Sequence, residues 1–324
     1  MNNHKQGEAF DFSAAITQLF RTQDGKFFAK RLWFWASAAY AFVMLVTFPF
    51  IVKYYPDLLE VNWHNMKAMM DGSTPDNTAL LAILAKLFPS YLFLIISMLT
   101  IGAAVETALH RKVLFDQEES GMPLRFGIVQ FRVLLAQIAV WVIWFLAYTI
   151  GVILLALFVG ILAAVTPILG GIIGVLGFIA FMCLLVFLPI SLSPAAALTV
   201  NNNRLQVMGA RKVSKGVFWN LFGAYLVVII GGYILIYVVM TIGVIVVTGD
   251  AAFLEALSGM GAENPKIAFE AAAQRFKNPL VMLVGIIFIF AYAGAYAAYT
   301  LSISGISSYT VKWWRGNDEA SQFD

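Results

Sequence analysis

The sequence predicts an all-α protein, a polytopic membrane helical bundle with six transmembrane helices and short interfacial amphipathic helices. Of 324 residues, 61% are hydrophobic and 12% are charged, which is about half the charged share of a soluble domain. Residues 133–203 contain no Asp, Glu, Lys, Arg or His, and their apolar positions are continuous. Because a membrane β-barrel needs segments that alternate apolar and polar residues, this pattern indicates helices.

Six segments are apolar over the roughly 20 residues that a helix needs to cross the hydrocarbon core. The third and fourth share the uncharged stretch, which we divide at TPILGG because Pro167, Gly170 and Gly171 suit a tight hairpin. Together with Gly174 and Gly177, these glycines predict close contact between helices. The predicted spans lie at about 32–52, 80–107, 128–163, 168–192, 217–247 and 279–308.

The distribution of basic residues predicts the orientation, since Lys and Arg concentrate on the cytoplasmic side of a membrane protein. With six spans and an inner N-terminus, fifteen of the 21 Lys and Arg residues lie in inner segments. A seventh span would place the basic segment 201–216 outside. The sequence therefore predicts a multi-pass protein of the bacterial cytoplasmic (inner) membrane with both termini in the cytoplasm. Its predicted parts are an N-terminal segment 1–31, a transmembrane domain 32–308 and a tail 309–324.

The connecting segments carry apolar residues at helical spacing. An inner stripe consists of Phe12, Ile16, Leu19 and Phe20, and an outer stripe of Leu59, Trp63, Met66 and Met70. The inner stripe predicts a short helix in the headgroup layer, with Ser13 as its N-cap. A further outer helix is predicted from Asn264 to Asn278. We expect the outer segments to be small helices that lie against the membrane face.

An internal repeat is one interpretation of the segments that precede the inward-to-outward spans. Each combines basic residues, a glycine and aromatics, and the spans begin about 90 residues apart, as three repeated hairpins would require. Basic and aromatic anchors at every inner boundary explain the same pattern without a repeat. Both interpretations remain open. The segments are QDGKFFAKRLWFW, ESGMPLRFGIVQFRVLL and ARKVSKGVFWNLFG.

The segment VETALHRKVLFDQEESG places Glu106, His110 and Arg111 on little more than one helical turn. Glu106 and His110 are four residues apart and share a helix face, as an acid–base pair or half of a metal site would require. However, the apolar run from Leu87 to Val105 ends at Glu106. We therefore interpret the three residues as an interfacial cluster at the inner headgroup boundary.

Other signs of chemistry are missing from the sequence. It contains no zinc-protease helix, paired cysteines, phosphate-binding glycine loop or nucleophile elbow. The span centres offer neutral polar groups such as Gln137, which argues against a carrier that uses buried carboxylates. We interpret Gln137 as an interhelical hydrogen-bonding residue. The sequence therefore predicts no catalytic residue, no metal site and no cofactor.

Two surfaces are predicted to bind partners. The most basic loop should contact anionic lipid, and no nucleic-acid partner is expected because orientation alone already requires its cations. A stripe of small residues on the last span predicts a helix-packing seam, either within the protein or with another membrane protein or a second copy. The basic residues are Arg204, Arg211, Lys212 and Lys215, and the stripe is Gly294, Ala298, Ser302 and Gly305.

The segments ALHRKVLFDQEESGMPLRFGIVQFRVLL, LPISLSPAAALTV and KGVFWNLFGAYL carry a resemblance that spans most of the chain. They resemble uncharacterised bacterial multi-pass inner-membrane proteins related to the glycerophosphoryl diester phosphodiesterase membrane-domain family. The resemblance implies a six-helix inner-membrane fold. It does not imply phosphodiesterase chemistry, because this sequence lacks the catalytic barrel and its histidine and acidic residues.

These observations predict a non-enzymatic membrane protein that organises lipids or partner membrane proteins through interfacial helices and small-residue seams. The alternative is a transporter or lipid-handling facilitator for a neutral or lipid-like substrate, with a cavity lined by aromatics and Gln137. A membrane enzyme is the third interpretation. It would require Glu106, His110 and Arg111 to converge with other polar groups.

Overall fold

The computed structural model describes residues 9–21, 24–118, 123–248, 274–275 and 277–321. Within these ranges the regular structure is helical, and no β-strand occurs. Six helices are long and apolar enough to cross a membrane, which confirms the predicted all-α, polytopic membrane fold. In chain order the helices are α1 (Phe12–Arg21), α2 (Gly25–Met70), α3 (Asn77–Phe115), α4 (Ile128–Val165), α5 (Pro167–Leu192), α6 (Ala195–Asn202), α7 (Ala210–Ser214), α8 (Phe218–Thr248) and α9 (Pro279–Ser321).

Several helices extend beyond the predicted spans. α2 is continuous over 46 residues, or about 69 Å at 1.5 Å per residue, so the prediction of a separate outer helix over 59–70 is wrong. α3 continues to Phe115, and α9 continues through most of the predicted tail to Ser321. Hydropathy marks where a helix leaves lipid, whereas the backbone hydrogen bonds continue until a capping or turn residue ends them. Most of the predicted helix over 264–278 lies outside the described residues.

The end of α2 is tied to the start of α3 by one side chain. Asn65 accepts a hydrogen bond from the backbone N–H of Asp76 at 2.7 Å and donates one to its carbonyl at 3.3 Å. Asp76 in turn caps α3, because its carboxylate accepts from the N–H groups of Thr78 and Ala79. The outer stripe is thus the end of α2 and is held against the start of α3.

The hairpin between α4 and α5 confirms the predicted division of the uncharged stretch. A single extended residue, Thr166, separates the two helices, and Pro167 opens α5 at its first position. A Cβ atom on Gly170 would lie 2.7 Å from the backbone N and Cα of Ala163. Glycine at this position therefore lets the two backbones approach each other closely.

The neighbouring glycines of α5 differ in their surroundings. A Cβ on Gly177 would lie 2.7 Å from Leu155, and one on Gly174 would contact Val159 at 3.4 Å. Both therefore take part in the predicted close contact. A Cβ on Gly171 would have no heavy atom within 4 Å, so the prediction is wrong for this residue. The reason is helical geometry, because Gly171 lies about 100° around the helix from Gly170.

The chain divides into two compact units. Helices α4 to α7 belong wholly to unit 1, whereas α2, α3, α8 and α9 each contribute residues to both units. Unit 1 comprises Met1–Ala29, Ala103–Ile229 and Thr300–Asp324, and unit 2 comprises Lys30–Gly102 and Ile230–Tyr299.

Within unit 2, the first residue of the predicted seam packs against α2. The indole N–H of Trp33 donates a hydrogen bond to the carbonyl of Gly294 at 2.8 Å. A Cβ on Gly294 would lie 3.0 Å from the same indole. Between the same two helices, the rings of Tyr40 and Tyr296 meet edge to face at 5.0 Å. The seam is therefore used inside the protein at this end.

The remaining seam residues are all at least partly buried. Ala298 and Ser302 are half-buried, and Gly305 is buried. A Cβ on Gly305 would nevertheless have no heavy atom within 4 Å. Of the two glycines in the seam, Gly294 therefore lies against a neighbouring side chain and Gly305 does not.

Within unit 1, α1 packs against the C-terminal part of α9. The ring of Phe10 meets the rings of Tyr309 and Trp313 edge to face at 5.1 and 5.7 Å. The backbone N–H of Asp11 donates to the hydroxyl of Tyr309 at 3.1 Å. The predicted helix over 12–20 is thus present, and its start is fixed to α9.

Asp11, rather than the predicted Ser13, caps α1. Its carboxylate accepts from the backbone N–H groups of Ser13 at 2.8 Å and Ala14 at 3.0 Å. The Ser13 hydroxyl instead donates to that carboxylate at 3.0 Å. A carboxylate accepts several hydrogen bonds at once and interacts favourably with the positive end of the helix dipole, which makes Asp11 the better cap.

We expect Asp11→Ala to accelerate hydrogen exchange at the first amides of α1, because their acceptor is removed. Hydrogen bonds from the Ala14 amide and the Ser13 hydroxyl hold the pKa of Asp11 below its usual value. The cap therefore stabilises α1 at neutral pH, and this contribution is lost as the pH falls through the lowered pKa. Ser13→Ala keeps the acceptor and should have the smaller effect. A larger effect for Ser13→Ala would contradict this assignment.

Candidate functional site: a buried polar cluster

Glu106 and His110 lie on one face of α3, well inside the helix. Glu106 Oε2 is 3.9 Å from His110 Nε2. The His110 side chain is fully buried, and 17% of the Glu106 side chain is exposed. His110 is therefore enclosed by protein rather than exposed, while the placement of the pair at the inner headgroup boundary stays a prediction. The apolar run does end at Glu106, but α3 continues to Phe115 and neighbouring helices cover this face.

Side chains from α4 and α9 surround the pair. Gln137 of α4 and Ser304 of α9 form hydrogen bonds with the carboxyl group of Glu106. Ser308 of α9 places its Oγ 2.6 Å from His110 Nδ1. Gln137 thus has the interhelical role predicted for it. The contact between His110 and Ser308 joins residues 198 positions apart in the sequence.

A second group of hydroxyls continues this polar region towards α8. The Tyr225 hydroxyl is 2.9 Å from Ser307 Oγ, and Ser307 donates to the carbonyl of Ser193 at 3.1 Å. The Tyr225 hydroxyl is close enough to Glu106 to interact with its charge. We call the following residues the polar cluster: Glu106, His110, Gln137, Tyr225, Ser304, Ser307 and Ser308.

Arg111, the third residue of the predicted interfacial cluster, is half-buried and adjoins a shallow pocket. The pocket is also lined by Phe28, Ala108, Gln117 and Pro123. One residue further along, Lys112 is buried and its Nζ lies 2.8 Å from Asp116 Oδ1. The polar cluster and this pocket are different features of α3.

The predicted lipid-binding residues lie in the segment that runs from the end of α6 through the short helix α7. Asn203 has a left-handed backbone with φ 49°, and the Arg132 side chain donates to its carbonyl and to its Oδ1. The Ser214 hydroxyl donates to the Ser191 carbonyl at 2.9 Å and so fixes α7 to α5. All four predicted cations are exposed, namely Arg204, Arg211, Lys212 and Lys215.

Exposed apolar side chains accompany these cations. Met208 is 71% exposed, Trp219 is 77% exposed and Leu205 is 49% exposed. Large apolar groups beside cations suit the boundary of a membrane, where the apolar part enters the acyl region and the cation meets phosphate. We call residues 203–219 the basic elbow.

Sequence reasoning did not find the partners of Glu106 and His110. Ser304, Ser307 and Ser308 recur at helical spacing on α9. Hydroxyls on a membrane-spanning helix need polar partners, and Glu106 is the only acidic residue inside a predicted span. Pairing the hydroxyls of α9 with Glu106 would have predicted the polar cluster from the sequence.

In comparisons with known proteins, no protein-family model, curated protein or solved structure matches this chain. The resemblance to the membrane-domain family therefore stays a prediction. Function is inferred below from the residues and their contacts alone.

Proposed function

We propose that this chain is a non-enzymatic integral membrane protein that organises anionic lipid through the basic elbow. One observation carries the proposal: all four cations of the elbow are exposed beside exposed Leu205, Met208 and Trp219. Each cation near an anionic bilayer surface contributes about 1 kcal/mol. The apolar side chains would hold the elbow at the depth where those cations meet lipid phosphate.

Lipid is favoured over a partner membrane protein as the object of this organisation. Gly294, the first residue of the seam proposed for a partner, already packs against Trp33. We further propose that the protein resides in a bacterial inner membrane, with both termini and the basic elbow on the cytoplasmic side. The excess of Lys and Arg in the inner segments supports this orientation.

The proposal is tested by neutralising three cations of the elbow together, as Arg211→Gln, Lys212→Gln and Lys215→Gln. In nanodiscs that contain phosphatidylglycerol, native mass spectrometry counts the anionic lipids retained by the protein. The loss of three cations is expected to weaken retention by up to about 3 kcal/mol, on the order of 100-fold in affinity.

A matched control removes three exposed cations elsewhere, as Lys53→Gln, Lys67→Gln and Lys86→Gln. This variant should keep the wild-type number of anionic lipids. Equal loss in both variants would indicate a response to net charge rather than a lipid site, and unchanged retention in the elbow variant would refute the proposal.

The polar cluster favours a second function, a transporter or facilitator for a neutral or lipid-like molecule. Ionisable residues buried among membrane helices usually mark a pathway or a relay. Solute flux into proteoliposomes that depends on Glu106, but not on the cations of the elbow, would favour this alternative.

A further inference from the structure

The polar cluster contains more hydrogen-bond acceptors than donors. Ser308 donates its hydroxyl proton to the carbonyl of Ser304 at 2.9 Å, so its oxygen accepts from His110 Nδ1 at 2.6 Å. In a neutral imidazole the proton then resides on Nδ1, and Nε2 is a bare acceptor. Nε2 is buried and has no hydrogen-bond partner among the described residues.

The same cluster holds two further acceptors, the Glu106 carboxylate and Gln137 Oε1. Gln137 donates its amide N–H to Glu106, which leaves Gln137 Oε1 buried and without a hydrogen bond to any described residue. Ser304 has one hydroxyl proton for two acceptors, because its oxygen also lies 2.8 Å from the Thr300 carbonyl. The acceptors of the cluster are the Glu106 carboxylate, His110 Nε2 and Gln137 Oε1. The Gln137 amide and the Ser304 hydroxyl do not provide enough hydrogen-bond donors for all of them.

Such a deficit is expensive in a buried site. A buried polar atom without a partner costs about 1–3 kcal/mol, and a buried carboxylate without compensation costs more. A single positive charge placed among the three acceptors would satisfy them together. The 3.9 Å separation between Glu106 Oε2 and His110 Nε2 exceeds the length of a direct hydrogen bond, so the two groups do not satisfy each other without a shared cation.

We propose that Glu106, His110 and Gln137 form a buried binding site for one monovalent cation, either a proton or an alkali-metal ion. Carboxylate and amide oxygens are ligands for hard cations, and the imidazole nitrogen is the stronger acceptor for a proton. Among the described residues no group of three His, Cys, Asp or Glu side chains converges, so the ligand set does not match a tetrahedral zinc centre. This site is independent of the basic elbow and goes beyond lipid organisation.

Few of the side chains that face Glu106 can gain or lose a proton. His110 lies on the same helix, and Tyr225 approaches from α8. The residues contributed by α4 and α9 are Gln137 and Ser304, neither of which ionises near neutral pH. If the melting temperature depends on pH only when Glu106 is present, the titrating groups are therefore Glu106 and His110. Tyr225 is the other titratable side chain near them.

The test compares wild-type protein with Glu106→Gln, which keeps the side-chain shape and removes the negative charge. Melting temperatures are measured in nanodiscs in two series: sodium replaces N-methylglucamine at constant pH and ionic strength, or pH is varied without sodium. Because a ligand of the folded state raises stability by mass action, one series should raise the wild-type melting temperature by about 2 °C or more. Glu106→Gln should not respond.

Sodium dependence would identify an alkali-metal ion. Dependence on pH, together with a carboxylic acid C=O band in infrared difference spectra that Glu106→Gln abolishes, would identify a proton. Glu60→Gln is the matched control, since it makes the same change on α2 and should respond as wild type does. The proposal is overturned if neither series separates wild type from Glu106→Gln.

A milder variant keeps the test decisive if Glu106→Gln does not fold. Gln137→Met removes one acceptor and retains an unbranched side chain of similar size in α4. It should weaken the response to the active cation, seen as a midpoint shifted to higher cation concentration. An unchanged midpoint would overturn the proposed ligand set.

Discussion

Gly170→Ala is expected to lower the free energy of unfolding by about 1–3 kcal/mol, the usual cost of overpacking a tight contact. The added methyl group would lie 2.7 Å from the backbone N and Cα of Ala163, and 2.8 Å from its Cβ. Backbone atoms cannot turn aside as a flexible side chain does, so α4 and α5 would have to separate near their shared turn. The measurement is denaturant unfolding in bicelles, followed by circular dichroism.

The adjacent Gly171 supplies a matched control. A methyl group there meets no heavy atom within 4 Å, so Gly171→Ala adds only the higher helix propensity of alanine. That gain is up to about 1 kcal/mol. The two variants should therefore change stability in opposite directions. Equal effects would show that helix propensity, rather than contact between α4 and α5, determines the result.

The sequence predicts the six long helices well because the signal for each is local. A run of about 20 apolar residues suffices to identify a span, whatever its neighbours are. Helix ends depend on capping contacts instead, and these were predicted poorly. Asp11 rather than Ser13 caps α1, and α2 continues far beyond its apolar run until the turn at Gly72, which has φ 72°.

Burial of the candidate site could not be read from local sequence. Glu106 follows the last residue of an apolar run, and a single-chain pattern places such a residue at the lipid–water boundary. Whether other helices cover it depends on Gln137 and on residues of α9 near position 304, which are distant in sequence. The exposed basic elbow was easier to predict, because its cations need no partner within the protein.

Ser308→Ala is expected to lower the free energy of unfolding by about 1–3 kcal/mol, because it leaves His110 Nδ1–H buried without an acceptor. Both side chains are fully buried in the wild-type protein, so little water can replace the hydroxyl. Hydrogen bonds between membrane helices often contribute less than this, since the unfolded chain in lipid also finds partners. The cost of about 1–3 kcal/mol applies here because Ser308→Ala removes the acceptor and leaves the buried His110 Nδ1–H in place.

Thr310→Val separates this effect from the loss of a hydroxyl within α9. Thr310 is fully buried, and its hydroxyl donates to the Ile306 carbonyl at 2.8 Å, as Ser308 does to Ser304. The control therefore loses the intrahelical bond alone and should be clearly more stable than Ser308→Ala. In a double-mutant cycle, His110→Leu with Ser308→Ala should cost less than the sum of the single variants, because no orphaned N–H remains. Strict additivity would mean that His110 and Ser308 do not interact in the membrane.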